Sequence, residues 1–310
     1  MRRDEYHFEG FASRLVRRRA KDRLFKWAAL LATSVGFVAL AVLLVGVLRA
    51  GLPWLTADFL DNFPSRTPAK AGFKAAFWGS LWVVGLTTLI CVPIGVAGAV
   101  YLEEYSGKKG FHKLLELLIA NLAGVPSILY GMLGLIVFVR MFNIPAEDAS
   151  FLGVQLPFGR SVLAGACTLS LLVLPVLIMV TREALRAVPE SLRLAAFGLG
   201  ATRWQCVRHH VLPAASPGIL TGVVLALSRA LGETAPLVVM GALTYVAFTP
   251  ESVFDPFTAM PIQIFNWASR PQADFQSVAA AGIIVLLAVL LGMNALVILL
   301  RNRAEKSRIR

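Results

Sequence analysis

The chain has 310 residues, of which 57% are hydrophobic and 15% are charged, and its formal net charge is +12. Soluble domains carry roughly 25% charged residues, so this composition excludes an ordinary soluble protein of one or two domains. The excess of basic residues is equally incompatible with a fully buried core. Both facts fit a membrane protein with apolar segments in lipid and basic residues on one side of it.

The cysteines and histidines form no chemical site in the sequence. Cys91, Cys167 and Cys206 are far apart and include no C-x-x-C pair, which disfavours a disulfide framework. The four histidines have no cysteine or carboxylate cluster beside them at metal-ligand spacing. We therefore expect that this chain binds no metal and no cofactor.

Six apolar runs are long enough to cross a bilayer, which takes about 20 residues of helix. They predict an all-α fold, a polytopic membrane protein with six transmembrane helices. The basic segment 1–26 before the first run is too long for a cleavable signal, so we expect the first run to stay as an anchor. The runs cover residues 27–49, 76–101, 115–141, 160–181, 217–244 and 277–300.

The lysines and arginines indicate the orientation. The two termini, 1–26 and 301–310, together with the connections 102–114 and 182–216 carry 22 of the 30 basic residues, whereas the connections on the other side carry 6. By the positive-inside rule both termini are predicted to be cytoplasmic. The basic runs are expected to contact membrane lipid and not nucleic acid.

Two longer connections on the outer side, 50–75 and 245–276, mix prolines with aromatic residues and contain no catalytic constellation. Trp54 and Trp267 are expected at the level of the lipid headgroups. These connections favour a docking surface for a partner outside the membrane, and the alternative is a plain lid or linker.

The connection 182–216 is polar and too long for a minimal turn. Pro189 and the two residues after it predict a helix start, Gly198 and Gly200 end this helix, and residues 201–204 begin another turn. A short amphipathic helix at this place presents an apolar ridge to a soluble partner, or it packs only against its own chain.

The fifth run carries Arg229 and Glu233 near its middle, with Thr234 beside them. Charged side chains are costly in a bilayer and normally face a protein interior or a water-filled pathway. The i, i+4 spacing places the pair on one helical face. Either the pair only joins helices, or Arg229 offers a planar donor for a tetrahedral oxyanion while Glu233 competes with the anion and keeps its binding transient.

The third run contains a proline in its middle. Pro126 removes a backbone hydrogen bond, and Ser127 and Tyr130 place hydroxyl groups just beyond the break. This combination fits a pathway wall or a moving joint, and it fits equally well helix packing through the neighbouring glycines.

Residues 194–213 resemble the EAA loop of binding-protein-dependent ABC transporter permeases. The spacing of Ala195-Ala196, Gly200 and Leu212-Pro213 follows that pattern, whereas Leu194 replaces its acid and His210 its isoleucine. The resemblance implies that this loop docks on a cytoplasmic ATPase and transmits nucleotide-driven motion. The implied coupling residues are Leu194, Ala195, Ala196, Gly200, Ala201 and Arg203.

Residues 230–236, Ala-Leu-Gly-Glu-Thr-Ala-Pro, resemble the signature of the PstA family of phosphate permease subunits, and the stretches 101–105 and 124–131 agree. The resemblance implies the type I ABC importer permease fold over a core of residues 76–300 and transport of inorganic phosphate. It also implies a PstC-like permease, a PstB-like ATPase dimer and a periplasmic phosphate-binding protein as partners. The resemblance further implies a bacterial inner membrane. The candidate pathway residues, predicted above from their spacing and position, are Arg229, Glu233, Thr234, Ser127 and Tyr130.

The sequence contains no G-x-x-x-x-G-K-[ST] run, and residues 107–110 do not match one. We therefore expect a translocation subunit that is not itself an enzyme, with ATP and Mg²⁺ bound by the partner ATPase. The alternatives are a permease for another oxyanion such as sulfate or molybdate, an ion-coupled secondary transporter, for which no inverted repeat is evident, and a membrane scaffold, which leaves Arg229 unexplained.

Overall fold

Over the residues that the structure describes, the chain forms a bundle of helices and one pair of short strands. A computed structural model describes the backbone of residues 5–106, 110–140, 150–151, 154–155, 158–242 and 245–306. The two short strands β1 (Ser150–Phe151) and β2 (Val154–Gln155) pair antiparallel. The helices in these residues are α1 (Glu5–Gly51), α2 (Ala57–Asp61), α3 (Lys74–Val100), α4 (Gly110–Ala123), α5 (Ser127–Gly134), α6 (Val162–Arg186), α7 (Glu190–Gly198), α8 (Arg203–Cys206), α9 (Leu212–Gly232), α10 (Ala235–Met240), α11 (Met260–Ala268) and α12 (Ala273–Lys306).

Among the described residues, five helical stretches are long and apolar enough to cross a membrane, and the bent pair Lys113–Ala123 and Ser127–Val139 adds a sixth if it counts as one crossing. The helix α6 lies at the centre, because 67% of its most apolar window is buried, whereas none of that window in α1 is. It packs between α3 and α9, and α1 contacts mainly α12. The core is therefore built around α6.

The third span is not one continuous helix. The chain turns by 100° between α4 and α5, since Pro126 has no N–H to donate and adopts an extended ψ of 134°. The amides of Gly124 and Val125 donate to the carbonyl oxygens of Asn121 and Leu122 and so close the turn. The bend lies where the sequence predicted a break at Pro126, so the predicted run 115–141 is two helical segments joined by this bend.

The fifth span is also placed differently from the prediction. The sequence predicted a helix over 217–244 with the charged pair near its middle, whereas the helical stretch Arg203–Gly232 ends just before Glu233. Glu233 has the extended angles φ −77° and ψ 123°, and the short helix α10 follows. Pro236 explains the interruption, because it cannot donate to the carbonyl of Gly232, four residues earlier. We call residues 229–236 the helix break.

The connection between the fourth and fifth spans is shorter than the predicted 182–216. The helix α6 continues to Arg186 and the next spanning stretch starts at Arg203, so the connection proper is 187–202. Most of it is the helix α7.

The two interrupted segments touch each other through a glycine. A Cβ atom at Gly131 would lie 2.6 Å from the Cα of Pro236, so the backbones of α5 and α10 are in direct contact. Three residues later, a Cβ at Gly134 would collide with the side chain of Thr168 on α6. Small residues therefore allow α5 to pack closely against both the helix break and the central helix.

Three aromatic rings close the end of the bundle that carries α2 and α11. The rings of Phe59 and Phe73 stack with centroids 5.5 Å apart, and that of Trp267 lies 5.8 Å and 5.6 Å from them. The side chain of Trp267 is fully buried. The expectation that Trp267 anchors at headgroup level is therefore wrong, because its ring belongs to the core.

We predict that Gly131→Leu destabilises the isolated chain by about 1–3 kcal/mol, because the added side chain forces apart two backbones that cannot relax like side chains. Gly85→Leu on α3 is the matched control, since a Cβ at Gly85 meets nothing within 4 Å. Thermal unfolding of the two variants in detergent checks this. Equal midpoints for both variants would contradict the close packing of α5 on α10.

Candidate functional site

The charged pair of the helix break is present, and it forms at a helix end. Arg229 lies in the last turn of α9 and Glu233 is the residue that follows this helix. The Nε of Arg229 donates to Oε1 of Glu233 over 3.4 Å. A cation in the last turn also interacts favourably with the free carbonyls of the helix end. The predicted pairing is confirmed, but not the predicted position in mid-helix.

The pair is only partly covered by its own chain. The side chains of Arg229 and Glu233 are 35% and 19% exposed. Charged groups within membrane-spanning segments normally face protein or water, because contact with lipid is costly. We call the exposed part of the Arg229 and Glu233 side chains the open side of the pair. A pair that served only to join helices of this chain would not need such an exposed part.

The helix α5 places two of the other predicted pathway residues near the break. Tyr130 is buried, its hydroxyl donates to the carbonyl oxygen of Leu122 over 2.8 Å, and Arg229 lies within electrostatic range of it. Tyr130 thus braces the bend between α4 and α5. Ser127 begins α5 and Thr234 precedes α10, and both are half-buried.

A second polar contact lies beside the charged pair. The hydroxyl of Ser228 donates to Oδ1 of Asn294 over 2.8 Å and so joins α9 to α12. Such hydrogen bonds between membrane helices contribute about 0.6 kcal/mol on average. The sequence interpretation missed this contact, although an asparagine within the apolar run 277–300 is a visible signal.

Local residues determine the shape of the connection 187–202. The helix α7 begins after Pro189 with Glu190 in its first turn. Gly200 has a φ of +82°, a left-handed conformation that glycine adopts without steric cost. Thr202 then caps α8 through a reciprocal capping box with Gln205. The helix and the turn predicted here are confirmed.

The helices α7 and α8 present apolar side chains to solvent. Leu194, Phe197 and Trp204 are exposed, and Leu199 is 90% exposed. Ala196 is buried against the chain itself. Several exposed large apolar side chains within one short stretch of the chain are typical of an interaction site. Of the other predicted coupling residues, Ala195, Gly200 and Arg203 are exposed and Ala201 is half-buried.

One arginine fastens α7 to the bundle. The guanidinium of Arg193 lies 2.7 Å from Oε1 of Glu104, in the π-helical turn Tyr101–Tyr105 that follows α3. It also donates to the carbonyl oxygens of Leu185 and Val188 over 2.9 Å and 2.7 Å. It thereby caps the end of α6 as well. Sequence reasoning missed this contact, whose only signal was the pair of acids at 103–104.

Within the residues that the structure describes, no group of three or more His, Cys, Asp or Glu is placed to hold a metal ion. Cys91 and Cys206 are buried, Cys167 is half-buried, and all three are free thiols.

Residues 92–306 match the family described as binding-protein-dependent transport system inner membrane component. The chain belongs to this family. The matched part contains the bend between α4 and α5, the helix α7 and the helix break.

Individual relatives agree with this assignment. The chain is 32% identical over 280 residues to the phosphate transport system permease protein PstA of Haemophilus influenzae. The aligned residues cover 89% of this chain and 92% of that protein. It is 30% identical over 266 residues to PstC of the same organism, covering 79% and 82%. The resemblance to PstA permeases is confirmed, and the chain is a permease subunit of an ABC importer of the inner membrane.

A solved structure supports the fold. A chain of a bacterial ABC transporter involved in the import of the acidic polysaccharide alginate superimposes with a TM-score of 0.67 at 19% identity, covering 94% of this chain and 99% of that one. The predicted fold class, an all-α ABC importer permease, is therefore confirmed.

We predict that Arg193→Ala loosens α7. Hydrogen bonds to a charged group contribute about 1.5–3 kcal/mol, so amide hydrogen exchange in 190–198 should rise about 10- to 100-fold. Arg208→Ala is the control, because Arg208 is exposed and forms no ion pair with a described residue. Unchanged exchange in the Arg193 variant would show that this side chain does not hold α7.

Proposed function

We propose that this subunit forms half of a pathway that carries inorganic phosphate from the periplasm to the cytoplasm. The observation that supports it best is the partly exposed Arg229–Glu233 pair at an interruption of a membrane-spanning helix. The likeness to a phosphate transport permease supports the choice of phosphate among oxyanions.

The chemistry of the pair suits transient binding of an oxyanion. A guanidinium presents parallel N–H donors that match two oxygens of phosphate. An unpaired cation in a region of low dielectric would hold a divalent anion tightly and release it slowly. Glu233 accepts from Arg229 when no anion is present, and it repels the anion when one is bound. The pair therefore keeps the site neutral between transport events.

The open side of the pair supports a second permease subunit. Since lipid contact with Arg229 is costly, we infer that a PstC-like permease covers this side and that the pathway runs between the two subunits. The short helix α10 and the helix α5, which follows the bend, then form the wall on the side of this chain.

The exposed apolar surface of α7 and α8 is the proposed docking site for a PstB-like ATPase dimer. Leu194 extends that surface at the position where the family pattern has an acid. ATP and Mg²⁺ are bound by the ATPase, not by this chain. This arrangement places α7 and both termini in the cytoplasm, as the distribution of basic residues predicts. The opposite end, with α2 and α11, then faces a periplasmic phosphate-binding protein.

We expect Arg229→Gln to lower phosphate uptake about tenfold or more, because the variant loses the charge-assisted hydrogen bonds to the anion. Arg49→Gln, an exposed arginine in the last turn of α1, is the control. Uptake of labelled phosphate by cells that depend on this transporter measures the effect. Normal uptake at normal expression of Arg229→Gln would remove Arg229 from the pathway.

We expect Gly200→Val to abolish uptake while the membrane spans stay folded. A β-branched residue is strained at a φ of +82°, and the strain displaces the turn between α7 and α8. Space is not the cause, because a Cβ at Gly200 meets nothing within 4 Å. Gly200→Asn is the matched control, since asparagine tolerates the left-handed conformation. If the Gly200→Val and Gly200→Asn variants are both well expressed and give equal phosphate uptake, this turn plays no part in coupling.

A further inference from the structure

Four charged residues form a closed ring where α3, α4 and α6 meet. Arg182 and Arg186 lie one turn apart on α6, Glu103 follows α3, and Glu116 is on α4. The shorter contacts join Arg186 to Glu103 over 3.0 Å and Arg182 to Glu116 over 3.2 Å. The crossed contacts measure 3.6 Å between Arg182 and Glu103 and 3.7 Å between Arg186 and Glu116. Each arginine therefore reaches both acids.

The ring adjoins the contact that holds α7. Glu103 belongs to the ring, and the next residue, Glu104, binds Arg193 of α7 over 2.7 Å. Both acids lie in the π-helical turn Tyr101–Tyr105. A displacement of α7 therefore pulls on the segment that carries Glu103.

The other side of the ring leads to the helix break. Glu116 lies on α4, whose Leu122 carbonyl accepts the hydrogen bond from Tyr130 on α5. Gly131 of α5 contacts the backbone of Pro236 in the break. Packed helices and direct contacts thus run without a gap from α7 to the residues beside Arg229 and Glu233.

The burial of Arg182 limits how this junction can move. Its side chain is almost fully buried, so a loss of its acidic partners would leave a buried charge uncompensated. Since both arginines reach both acids, α4 can shift along α6 by exchanging partners without leaving Arg182 uncompensated. A ring of this kind permits two discrete arrangements, which is what transmission of a conformational change requires.

We propose that this ring transmits the movement of α7 to the helix break. Glu116 is the positioning residue that makes α4 move together with the ring. The inference rests on the proposed docking of α7 on an ATPase. It does not depend on which anion is transported.

Glu116→Gln and Glu183→Gln are a matched pair of variants. Both acids contact Arg186, but Glu116 joins α4 to α6, whereas Glu183 pairs with Arg186 within α6 over 3.2 Å. The assay uses proteoliposomes that contain the complete complex and are supplied with phosphate-loaded binding protein. We expect the complex with Glu116→Gln to hydrolyse at least about five times as many ATP molecules per imported phosphate as the wild type. The complex with Glu183→Gln should show the wild-type ratio.

A second measurement needs no substrate. Spin labels at the exposed positions Met132 on α5 and Leu291 on α12 report the movement of α5 when a non-hydrolysable ATP analogue binds the complex. We expect a change of distance in the wild type and in Glu183→Gln, and its loss in Glu116→Gln. Equal distances without nucleotide in all three proteins show that the variants are folded.

The outcomes separate the two proposals. If Glu116→Gln keeps both the wild-type coupling ratio and the nucleotide-dependent change of distance, or if α5 does not move in the wild type, the ring does not transmit motion. If the wild-type complex hydrolyses ATP without importing phosphate, the proposed substrate is wrong, and the distance measurement alone decides the role of the ring.

Discussion

The cost of placing an arginine within a membrane-spanning segment constrains much of this structure. Arg229 is held at the end of α9 by Glu233, and that end exists because Pro236 interrupts the helix. The interruption leaves α10 as a separate short helix, which α5 contacts directly through Gly131. A charged pair with an open side, lined by broken helices, is what a polar pathway through a bilayer requires, since irregular backbone is tolerated there only where it borders protein or water.

The cytoplasmic machinery proposed here is also organised by charge. Arg193 joins α7 to the end of α3, and the ring of two arginines and two acids joins that end to α4. These contacts lie at one end of the bundle and the Arg229–Glu233 pair lies beyond the bend between α4 and α5. The apolar core around α6 lies between them. Ion pairs thus join α7, α3, α4 and α6 at this end of the bundle, and the close backbone contact between α5 and α10 continues the connection to the helix break.

The sequence was most informative where short-range chemistry determines the structure. Pro189 and Gly200 predict the limits of α7, because a proline start and a left-handed glycine act within a few residues. The predicted course of the fifth span was wrong, because its apolar run continues past Glu233 whereas Pro236 interrupts the helix. The predicted headgroup position of Trp267 was wrong, because the burial of this residue depends on Phe59 and Phe73, about 200 residues earlier in the chain. The ring was missed for the same reason, since Glu103 and Arg186 are 83 residues apart.

The most direct test of the central claim is the ATPase activity of the reconstituted complex with its periplasmic binding protein. We expect phosphate-loaded binding protein to stimulate ATP hydrolysis together with uptake of labelled phosphate, and an excess of sulfate or molybdate to leave both unchanged. Stimulation by one of these other oxyanions and not by phosphate would contradict phosphate as the substrate. Failure of the purified chain to form any stable complex with an ATPase would contradict the importer assembly itself.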